Sequence, residues 1–327
     1  MPLLLTERDV RAVLPMADLI EAMERALSEY SAGRVVQPVR QVLDIGARRN
    51  LFAVMPASSN DPAAVGAKLV TVYHDNHGRG LPSHLASIVL LDHATGALVA
   101  LLDGRYITEA RTAAVSAVSA KHLAREDAHV LALIGSGVQA RSHLQAIGLV
   151  RQLTEVRVWS PTTANREAFA KTMSAETGLP IRATPTPSAA LAGADLVVLA
   201  TSSPVPVVVD GDIARGAHIT AVGACRPDQR EMPTALIARA RVYVDSRAGA
   251  LKEAGDILLP LREGAIDASH VAGELGELLL GRITGRRRPD DVTVFKSLGM
   301  AIEDVVAADL AVRRATDRGI GYAFQMQ

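Results

Sequence analysis

The sequence predicts an α/β protein in which a doubly wound parallel sheet is joined to a second domain of α+β type. Three observations support this prediction. An apolar run at residues 130–134 ends in a glycine-rich turn, apolar runs with helical spacers recur over residues 118–296, and short strand-like runs lie close together over residues 1–117. Alternating strands and helices are typical of parallel sheets, whereas closely spaced short strands favour antiparallel pairing.

The glycine-rich turn is the most specific of these features. After residues 130–134 the chain reads Gly-Ser-Gly-Val-Gln-Ala and continues with helical periodicity. Gly135 permits the tight turn, Gly137 lets a pyrophosphate approach the backbone, and Ala140 keeps the helix close to the strand. The N–H groups at the start of the helix favour negative charge. We therefore predict a Rossmann-type dinucleotide site formed by Gly135, Ser136, Gly137, Val138, Gln139 and Ala140.

Composition limits the classes of partner and location. A chain of 327 residues is long for one core, so two domains are expected. Lys plus Arg equals Asp plus Glu at 35 each, which argues against nucleic-acid or anionic-membrane partners. No apolar run reaches the roughly 20 residues of a membrane helix, and acidic residues come too early for a signal peptide. The single Cys fits a reducing cytoplasm, where we expect the protein, and no metal site is predicted.

We place the domain boundary near residue 117, with an α+β domain at 1–117 and the doubly wound domain at 118–296. Helices are predicted over residues 16–32 and 112–120, and a long helix from residue 297 to 327 is expected to pack on the first domain. Turns are predicted at 58–62 and 77–80. Strands are predicted at 35–43, 51–54, 67–73, 85–91 and 97–102, and then at 130–134, 156–159, 196–200, 219–222, 242–244 and 292–295.

Several further stretches share one property: each is similar, in the same order along the chain, to a motif of a single family. They are residues 37–40 (QPVR), 66–71 (GAKLVT), 81–84 (LPSH), 102–104 (LDG), 108–114 (TEARTAA), 135–140 (GSGVQA), 200–203 (ATSS), 274–277 (ELGE) and 295–304 (FKSLGMAIED). The chain thereby resembles the ornithine cyclodeaminase/μ-crystallin family over nearly its whole length. The resemblance implies a homodimer built through a substrate-binding first domain, with a nicotinamide cofactor in the second. Its members include cyclodeaminases, an alanine dehydrogenase branch and reductases of cyclic imino acids.

Three cations lie within apolar strands and helix starts of the first domain, namely Arg40, Lys68 and Arg111. Such a cation is costly to bury without an anion, and an arginine can hold a carboxylate through two parallel hydrogen bonds. The residues alone leave internal ion pairs or surface positions open, whereas the family resemblance implies that they bind the carboxylate of an amino or imino acid. His84 either lines this site as a proton donor or makes a structural hydrogen bond.

The residues after the second strand of the doubly wound domain bear on the choice of cofactor. NAD enzymes of this fold place Asp or Glu there for the ribose hydroxyls. Residues 160–166 contain no acid, and Ser160, Thr162 and Arg166 can instead bind a 2′-phosphate. We predict NADPH as the preferred cofactor, with NADH as the alternative. The resemblance adds Thr201, Ser202 and Gly223 to the cofactor-binding residues.

The segment after Gly223 bears on the reaction. Cyclodeaminases of the family carry an Asp two positions later, where this chain has Cys225. A thiol cannot neutralise the charge of a substrate ammonium group, and we expect Cys225 to be a packing residue. The following Arg-Pro-Asp-Gln-Arg-Glu is similar to the ketimine-reducing branch. We predict reduction of a cyclic imino acid, such as 1-pyrroline-2-carboxylate or 1-piperideine-2-carboxylate, with the nicotinamide over Leu298 and Gly299.

The proton donor and three other functions stay open at this point. The proton is supplied by Lys68 or by a water near His84 or Asp228, and Asp228 alternatively caps the helix that follows it. The other functions are an ornithine or lysine cyclodeaminase, an alanine-type amino-acid dehydrogenase and a cofactor-gated small-molecule binding protein.

Overall fold

The computed structural model describes residues 1–46 and 50–325, with the backbone alone described at His74 and His77. The chain divides into two compact units, Met1–Arg111 with Gly299–Gln327 and Thr112–Leu298. The division therefore falls after Arg111, whereas the sequence placed it near residue 117. The substrate-binding, dimerisation and cofactor-binding roles of the two domains stay predictions.

The first unit is built on a mixed sheet. Its described strands are β1 (Leu3–Leu5), β2 (Val35–Val36), β3 (Gln41–Ile45), β4 (Asn50–Asn60), β5 (Ala63–Val72), β6 (His84–Leu91), β7 (Leu98–Asp103) and β16 (Tyr322–Ala323). The order in the sheet is β16-β1-β7-β6-β5-β4-β2, and β3 also pairs with β4. The β1–β7 pair is parallel and the other pairs between these strands are antiparallel.

Helices cover one face of this sheet. They are α1 (Glu7–Val13), α2 (Met16–Ser31), the first residues of α3 (Arg105–Leu123) and α11 (Ala301–Arg318). Helix α11 packs on α2 and on strands β4, β5 and β6. Burial alternates along β5, so that Ala64, Lys68 and Val70 all point to the buried face. Lys68 is thereby directed toward α11.

The predicted strand bounds of the first unit differ from the structure, and two of these differences are instructive. Strand β4 continues to Asn60, which pairs with Ala63, so the predicted turn at residues 58–62 is confined to Asp61 and Pro62. The run at residues 35–43 is divided between β2 and β3 rather than forming one strand. In both cases the neighbouring strands decide where pairing continues, which is information that local sequence does not carry.

Two helix starts also differ from the prediction. Helix α3 begins at Arg105 rather than residue 112, because Asp103 Oδ1 accepts a hydrogen bond of 3.0 Å from the Arg105 amide. Arg111 therefore lies inside the helix and not at its start. The last helix begins at Ala301 rather than residue 297, after Gly299 has adopted a left-handed conformation with φ of +81°.

The second unit is built on a parallel sheet. Its described strands are β8 (Val130–Ile134), β9 (Glu155–Trp159), β10 (Ile181–Ala183), β11 (Leu196–Leu199), β12 (His218–Ala221), β13 (Arg241–Val244), β14 (Val271–Glu274) and β15 (Thr293–Lys296). Their order is β10-β9-β8-β11-β12-β15-β13-β14, and each neighbouring pair is parallel. The predicted doubly wound parallel sheet is confirmed.

Helices lie between these strands, and both faces of the sheet are buried. Besides the end of α3, they are α4 (Val138–Val150), α5 (Thr163–Thr177), α6 (Pro187–Leu191), α7 (Thr234–Arg239), α8 (Arg247–Glu253), α9 (Gly255–Arg262) and α10 (Leu275–Leu279). Successive strand residues join different apolar clusters: Leu133 and Val198 belong to one, Ile134 and Leu199 to the other. Strands buried on both faces explain the continuous apolar runs of this half of the sequence.

The strand order reverses between β8 and β11, which lie side by side near the middle of the sheet. In doubly wound sheets this point forms the crevice in which dinucleotides bind. Strands β10 and β14 were missed in the sequence because they are short and interrupted by Arg182 and Gly273. Among the described helices, none combines the length and the apolar character needed to cross a membrane.

Candidate active site

The glycine turn after β8 has the geometry of a nucleotide-binding turn. Gly135 has φ of +125°, and a Cβ there would lie 2.4 Å from the carbonyl oxygen of Ala200, so a side chain is excluded. Gly137 is the N-cap of α4, makes no side-chain cap and has no neighbouring heavy atom within 4 Å of a Cβ placed on it. The start of α4 is therefore open to an anion, as a pyrophosphate requires.

Polar groups gather where β9 ends, beside this turn. The Ser136 hydroxyl donates to Ser160 Oγ at 2.9 Å, and Arg166 Nη1 donates to the Ser160 carbonyl at 2.9 Å. Thr162 is exposed at the N-cap of α5, where its side chain makes no capping bond. Ser160, Thr162 and Arg166 are thus close to one another, and no acidic residue lies between 160 and 166.

The turns after β11 and β12 are joined by a buried carboxylate that the sequence did not single out. Glu231 Oε1 accepts hydrogen bonds of 2.8 Å from both the amide and the hydroxyl of Thr201, and Oε2 accepts one of 2.8 Å from the Gly223 amide. A Cβ at Gly223 would lie 2.1 Å from the Thr201 carbonyl oxygen. Two predicted cofactor-binding residues are therefore held together by a third residue.

Glu231 belongs to a buried charge cluster with Asp256 and Lys296, which we call the sheet cluster. Asp256 Oδ1 accepts from the amides of Glu231 (2.8 Å) and Met232 (3.0 Å), and its Oδ2 lies 3.1 Å from Lys296 Nζ. Burial alone would lower the pKa of Lys296, but the carboxylate of Asp256, with Cys225 and Glu231, raises it. Burial raises the pKa of Glu231.

The first unit contains a second buried cluster, formed by Lys68, Arg111, Glu303 and Asp304, which we call the strand–helix cluster. Lys68 Nζ lies 2.5 Å from Asp304 Oδ2. Arg111 Nε donates to Asp304 Oδ1 at 3.0 Å, and Arg111 Nη1 donates to Glu303 Oε2 at 2.7 Å. Lys68 and Arg111, two of the three cations predicted to bind a substrate carboxylate, thus form internal ion pairs. Their partners Glu303 and Asp304 had been noted in the sequence only as part of a family motif.

The charges of this cluster change its titration. Burial, opposed by Asp304 and assisted by Arg111, lowers the pKa of Lys68 to about 8. Burial would raise the pKa of Asp304, yet the charges of Arg111 and Lys68 hold it below its ordinary value. Burial, followed by the charges of Lys68 and Arg111, lowers the pKa of His84 to about 4. At neutral pH Lys68 is mostly protonated and His84 is a neutral imidazole.

Arg40 and Gly299 border the strand–helix cluster. Arg40 is half-buried, and its positive charge contributes to the lowered pKa of Lys68. A Cβ at Gly299 would lie 2.2 Å from Arg111 Nη1, so a glycine is required where the chain passes the guanidinium. The three cations and His84 are therefore brought together in the first unit, as a carboxylate-binding site needs.

The remaining predicted residues have different surroundings. Leu298 is buried, and its amide donates to Asp245 Oδ2 at 2.6 Å. Asp228 is exposed in a turn, and the N-cap of the helix that follows is Pro233, so of the two alternatives left open for Asp228 the helix cap is wrong. Cys225 is half-buried against the apolar cluster, as expected of a packing residue, and its thiol donates to the Val222 carbonyl at 3.4 Å. Within the described residues, no group of His, Cys, Asp and Glu is arranged to hold a metal ion.

Comparison with known proteins places the chain among related enzymes. The model of the ornithine cyclodeaminase/mu-crystallin family matches residues 1–319. The chain is 36% identical over 320 residues to a Delta(1)-pyrroline-2-carboxylate reductase of Bacillus cereus, covering 98% of each protein. It is 41% identical over 295 residues to the ketimine reductase mu-crystallin of Mus musculus, covering 89% of this chain and 90% of the relative.

A solved structure extends this likeness to three dimensions. Thermococcus litoralis Delta(1)-pyrroline-2-carboxylate reductase in complex with NADH and L-proline matches with a TM-score of 0.96 and 38% identity, covering 98% of this chain and 100% of that one. The resemblance read from the sequence motifs is confirmed. The chain belongs to the ornithine cyclodeaminase/mu-crystallin family.

Proposed function

We propose that this protein is an NAD(P)H-dependent reductase of cyclic imino acids of the 1-pyrroline-2-carboxylate or 1-piperideine-2-carboxylate type. The observation that carries the proposal is the buried Lys68, whose pKa is lowered to about 8 beside Arg111 and Asp304. The names of the relatives agree with this reaction. Cys225 in place of a carboxylate disfavours a cyclodeaminase, because a thiol does not balance a substrate ammonium.

In this proposal Arg40, Lys68 and Arg111 bind the substrate carboxylate. Lys68 supplies a compact charge. Arg111 Nε and Nη1 already donate to Asp304 and Glu303. Arg111 therefore contributes mainly its charge to the substrate carboxylate, and less a pair of parallel hydrogen bonds that includes Nε. The residues alone left internal ion pairs open for Arg111, whereas the family resemblance implies carboxylate binding, and the pairs with Asp304 and Glu303 are the reason to expect less than a full two-bonded contact.

The reduction adds a hydride to the C=N carbon and a proton to the nitrogen, giving a secondary amine. When bound, the reduced nicotinamide supplies the hydride. We assign the proton to Lys68 Nζ, because a donor with a pKa near the working pH is both protonated and able to release its proton. His84, with a pKa of about 4, is already neutral at that pH.

The proposed cofactor is NADPH. This preference is supported by the hydroxyls of Ser160 and Thr162, by the Arg166 guanidinium beside Ser160, and by the lack of an acid at residues 160–166. Replacing Arg166 by Ala is expected to lower the ratio of kcat/KM for NADPH over NADH by about 10-fold, the usual effect of losing one charge-assisted contact. A wild-type enzyme that prefers NADH would contradict this part of the proposal.

A homodimer formed through the first unit is also proposed. Every residue of β3 is exposed, and Val42, Leu43 and Ile45 present apolar side chains there. An exposed apolar strand is a template for pairing with another chain, and a second copy would cover it. Light scattering at micromolar concentration tests this: a dimer is expected, and a monomer would overturn it.

The single Cys supports a cytoplasmic location.

A turnover panel tests the proposed reaction. Cyclic imino acids, 2-oxo acids with amines, and ornithine or lysine are each incubated with NADPH or NADH, and both cofactor oxidation and ammonia are measured. We expect stoichiometric NADPH oxidation with the cyclic imino acids and no ammonia. Ammonia without net cofactor consumption would indicate a cyclodeaminase, fastest turnover of open-chain 2-oxo acids an amino-acid dehydrogenase, and binding without turnover a cofactor-gated binding protein.

A further inference from the structure

Glu231 is a fully buried carboxylate, 0% exposed, that the proposed chemistry does not use. A buried carboxylate is retained only where its oxygens are satisfied by donors or cations. Its two oxygens accept three hydrogen bonds, from the amide and hydroxyl of Thr201 and from the amide of Gly223. The surroundings of Glu231 therefore require an acceptor at both oxygens.

These donors come from two turns at the carboxyl ends of neighbouring strands. Thr201 follows β11 and Gly223 follows β12, and the two strands are parallel neighbours. The carboxyl ends of such strands are where dinucleotides bind in doubly wound sheets. The backbone passes so closely at this point that a Cβ on Gly223 would lie 2.5 Å from Glu231 Oε1. The carboxylate thus fixes the separation of the two turns.

The rest of the sheet cluster fixes Glu231 itself. Asp256, in the first turn of α9, accepts the Glu231 amide and is paired with Lys296 at the end of β15. Gly255 lets α9 approach the loop, since a Cβ there would lie 1.9 Å from the carbonyl oxygen of Gln229. A chain of contacts therefore runs from the end of β15 through α9 to the two turns.

We infer that Glu231 is a positioning residue of the cofactor site, which holds the turns at Thr201 and Gly223 at the spacing that NADPH requires. This inference rests on the proposed cofactor role of these turns. Asp256, paired with Lys296, holds the backbone of Glu231 in place. The sheet cluster thus holds the turns at Thr201 and Gly223 at a fixed distance from each other, because both are anchored to the rigid sheet.

The test is the variant Glu231→Gln. The amide keeps the shape of the side chain but supplies only one acceptor oxygen, so its NH2 group must face either the Thr201 donors or the Gly223 amide. We expect the Kd for NADPH to rise about 10-fold or more, as when a hydrogen bond to a charged group is lost. The Kd can be measured through energy transfer from Trp159, the single tryptophan, to bound NADPH.

Two further variants make the outcome specific. Glu263→Gln, an exposed carboxylate bonded to Arg230 and Thr234, is expected to leave the Kd unchanged. Thr201→Val removes one of the three donors to Glu231, so we expect a rise in the Kd for NADPH smaller than that of Glu231→Gln. Thr201→Ser keeps the hydroxyl and should bind NADPH as wild type does. These variants keep the inference testable if Glu231→Gln fails to fold.

A merely structural role would lower the melting temperature and the active fraction but leave the Kd of the folded Glu231→Gln protein unchanged. An unchanged Kd in folded Glu231→Gln, or equal Kd values for Thr201→Val and wild type, would overturn the inference. Wild-type protein that binds NADPH and reduces an imino acid in the same experiment keeps the proposed function intact, whereas wild type that binds no cofactor rejects that function instead.

Discussion

The two buried charge clusters contain the same kinds of group in different proportion. In the strand–helix cluster, Lys68 shares its carboxylate partner Asp304 with a second cation, Arg111. In the sheet cluster, Lys296 is the cation beside two carboxylates, Asp256 and Glu231. Lys68 is 2% exposed and Lys296 is 0% exposed, so the two are almost equally buried. Nevertheless the pKa of Lys68 is lowered to about 8, whereas that of Lys296 is raised.

The comparison shows that burial alone does not decide what a buried lysine can do. Desolvation disfavours the ammonium in both clusters, and the charges that act on each lysine decide whether its pKa is lowered or raised. Around Lys68 two cations, Arg111 and Arg40, oppose one carboxylate, Asp304, and together with burial they make Lys68 a weak enough base to release a proton near neutral pH. A surplus of negative charge keeps Lys296 protonated, which suits a permanent structural ion pair.

The largest expected effect is on catalysis by Lys68→Met. Loss of the proposed proton donor and of one substrate-binding charge should lower kcat/KM for a cyclic imino acid by about 10⁴-fold. The Kd for NADPH should stay near that of wild type, because the predicted cofactor residues lie in the second unit. The matched control Lys171→Met replaces an exposed lysine of α5 and should be neutral. Near-wild-type turnover by Lys68→Met would reject Lys68 as the donor.

Lys296→Met should act on stability. It leaves Asp256 and Glu231 buried beside each other without a cation, which is expected to lower the free energy of unfolding by about 3 kcal/mol. Lys68→Met should cost less, about 1 kcal/mol, because Arg111 still pairs with Asp304 at 3.0 Å. Urea titrations of both variants check the order. Equal losses would mean that charge proportion does not distinguish the two clusters.

The sequence predicted the parallel sheet and the glycine turn because their signals are local. Apolar runs such as residues 130–134 reflect burial on both faces, and Gly135 reflects a backbone conformation that other residues avoid. The start of α3 was predicted seven residues too late, although Asp103, whose side chain accepts from the Arg105 amide, is a local signal for a helix start. By contrast, nothing local marks Asp304 as the partner of Arg111, 193 positions away, or Glu231 as the acceptor for Thr201. Ion pairs of this kind depend on tertiary packing, and the roles of the site residues stay predictions.

A pH profile can test the charge argument directly. If protonated Lys68 is the donor, the single-turnover rate of NADPH oxidation should fall as the pH rises through about 8. Asp304→Asn removes the anion that raises the pKa of Lys68, so the fall should move about one pH unit lower.

Glu303→Gln is the matched control for this shift. Glu303 bonds to Arg111 and leaves the Lys68–Asp304 pair intact, so the fall should remain closer to pH 8 than in Asp304→Asn. A profile that is identical in wild type and Asp304→Asn would show that Asp304 does not set the titration of Lys68.

The smallest expected effect concerns the neutral neighbour of Lys68. Thr108 Oγ1 accepts a hydrogen bond from Lys68 Nζ at 3.4 Å, which is long for a bond of this type, and its own hydroxyl donates to the Gly104 carbonyl at 2.8 Å. Thr108→Val keeps the shape and the charge count of the cluster while it removes the hydroxyl. If the proportion of charges sets the pKa of Lys68, the fall in rate should stay within about 0.3 pH unit of wild type, since a long neutral hydrogen bond is weak compared with a buried ion pair. The melting temperature of Thr108→Val, measured alongside the pH profile, separates a loss of folded protein from a change in titration. A shift of a full pH unit in a stable Thr108→Val protein would show that hydrogen bonding, and not charge proportion, distinguishes Lys68 from Lys296.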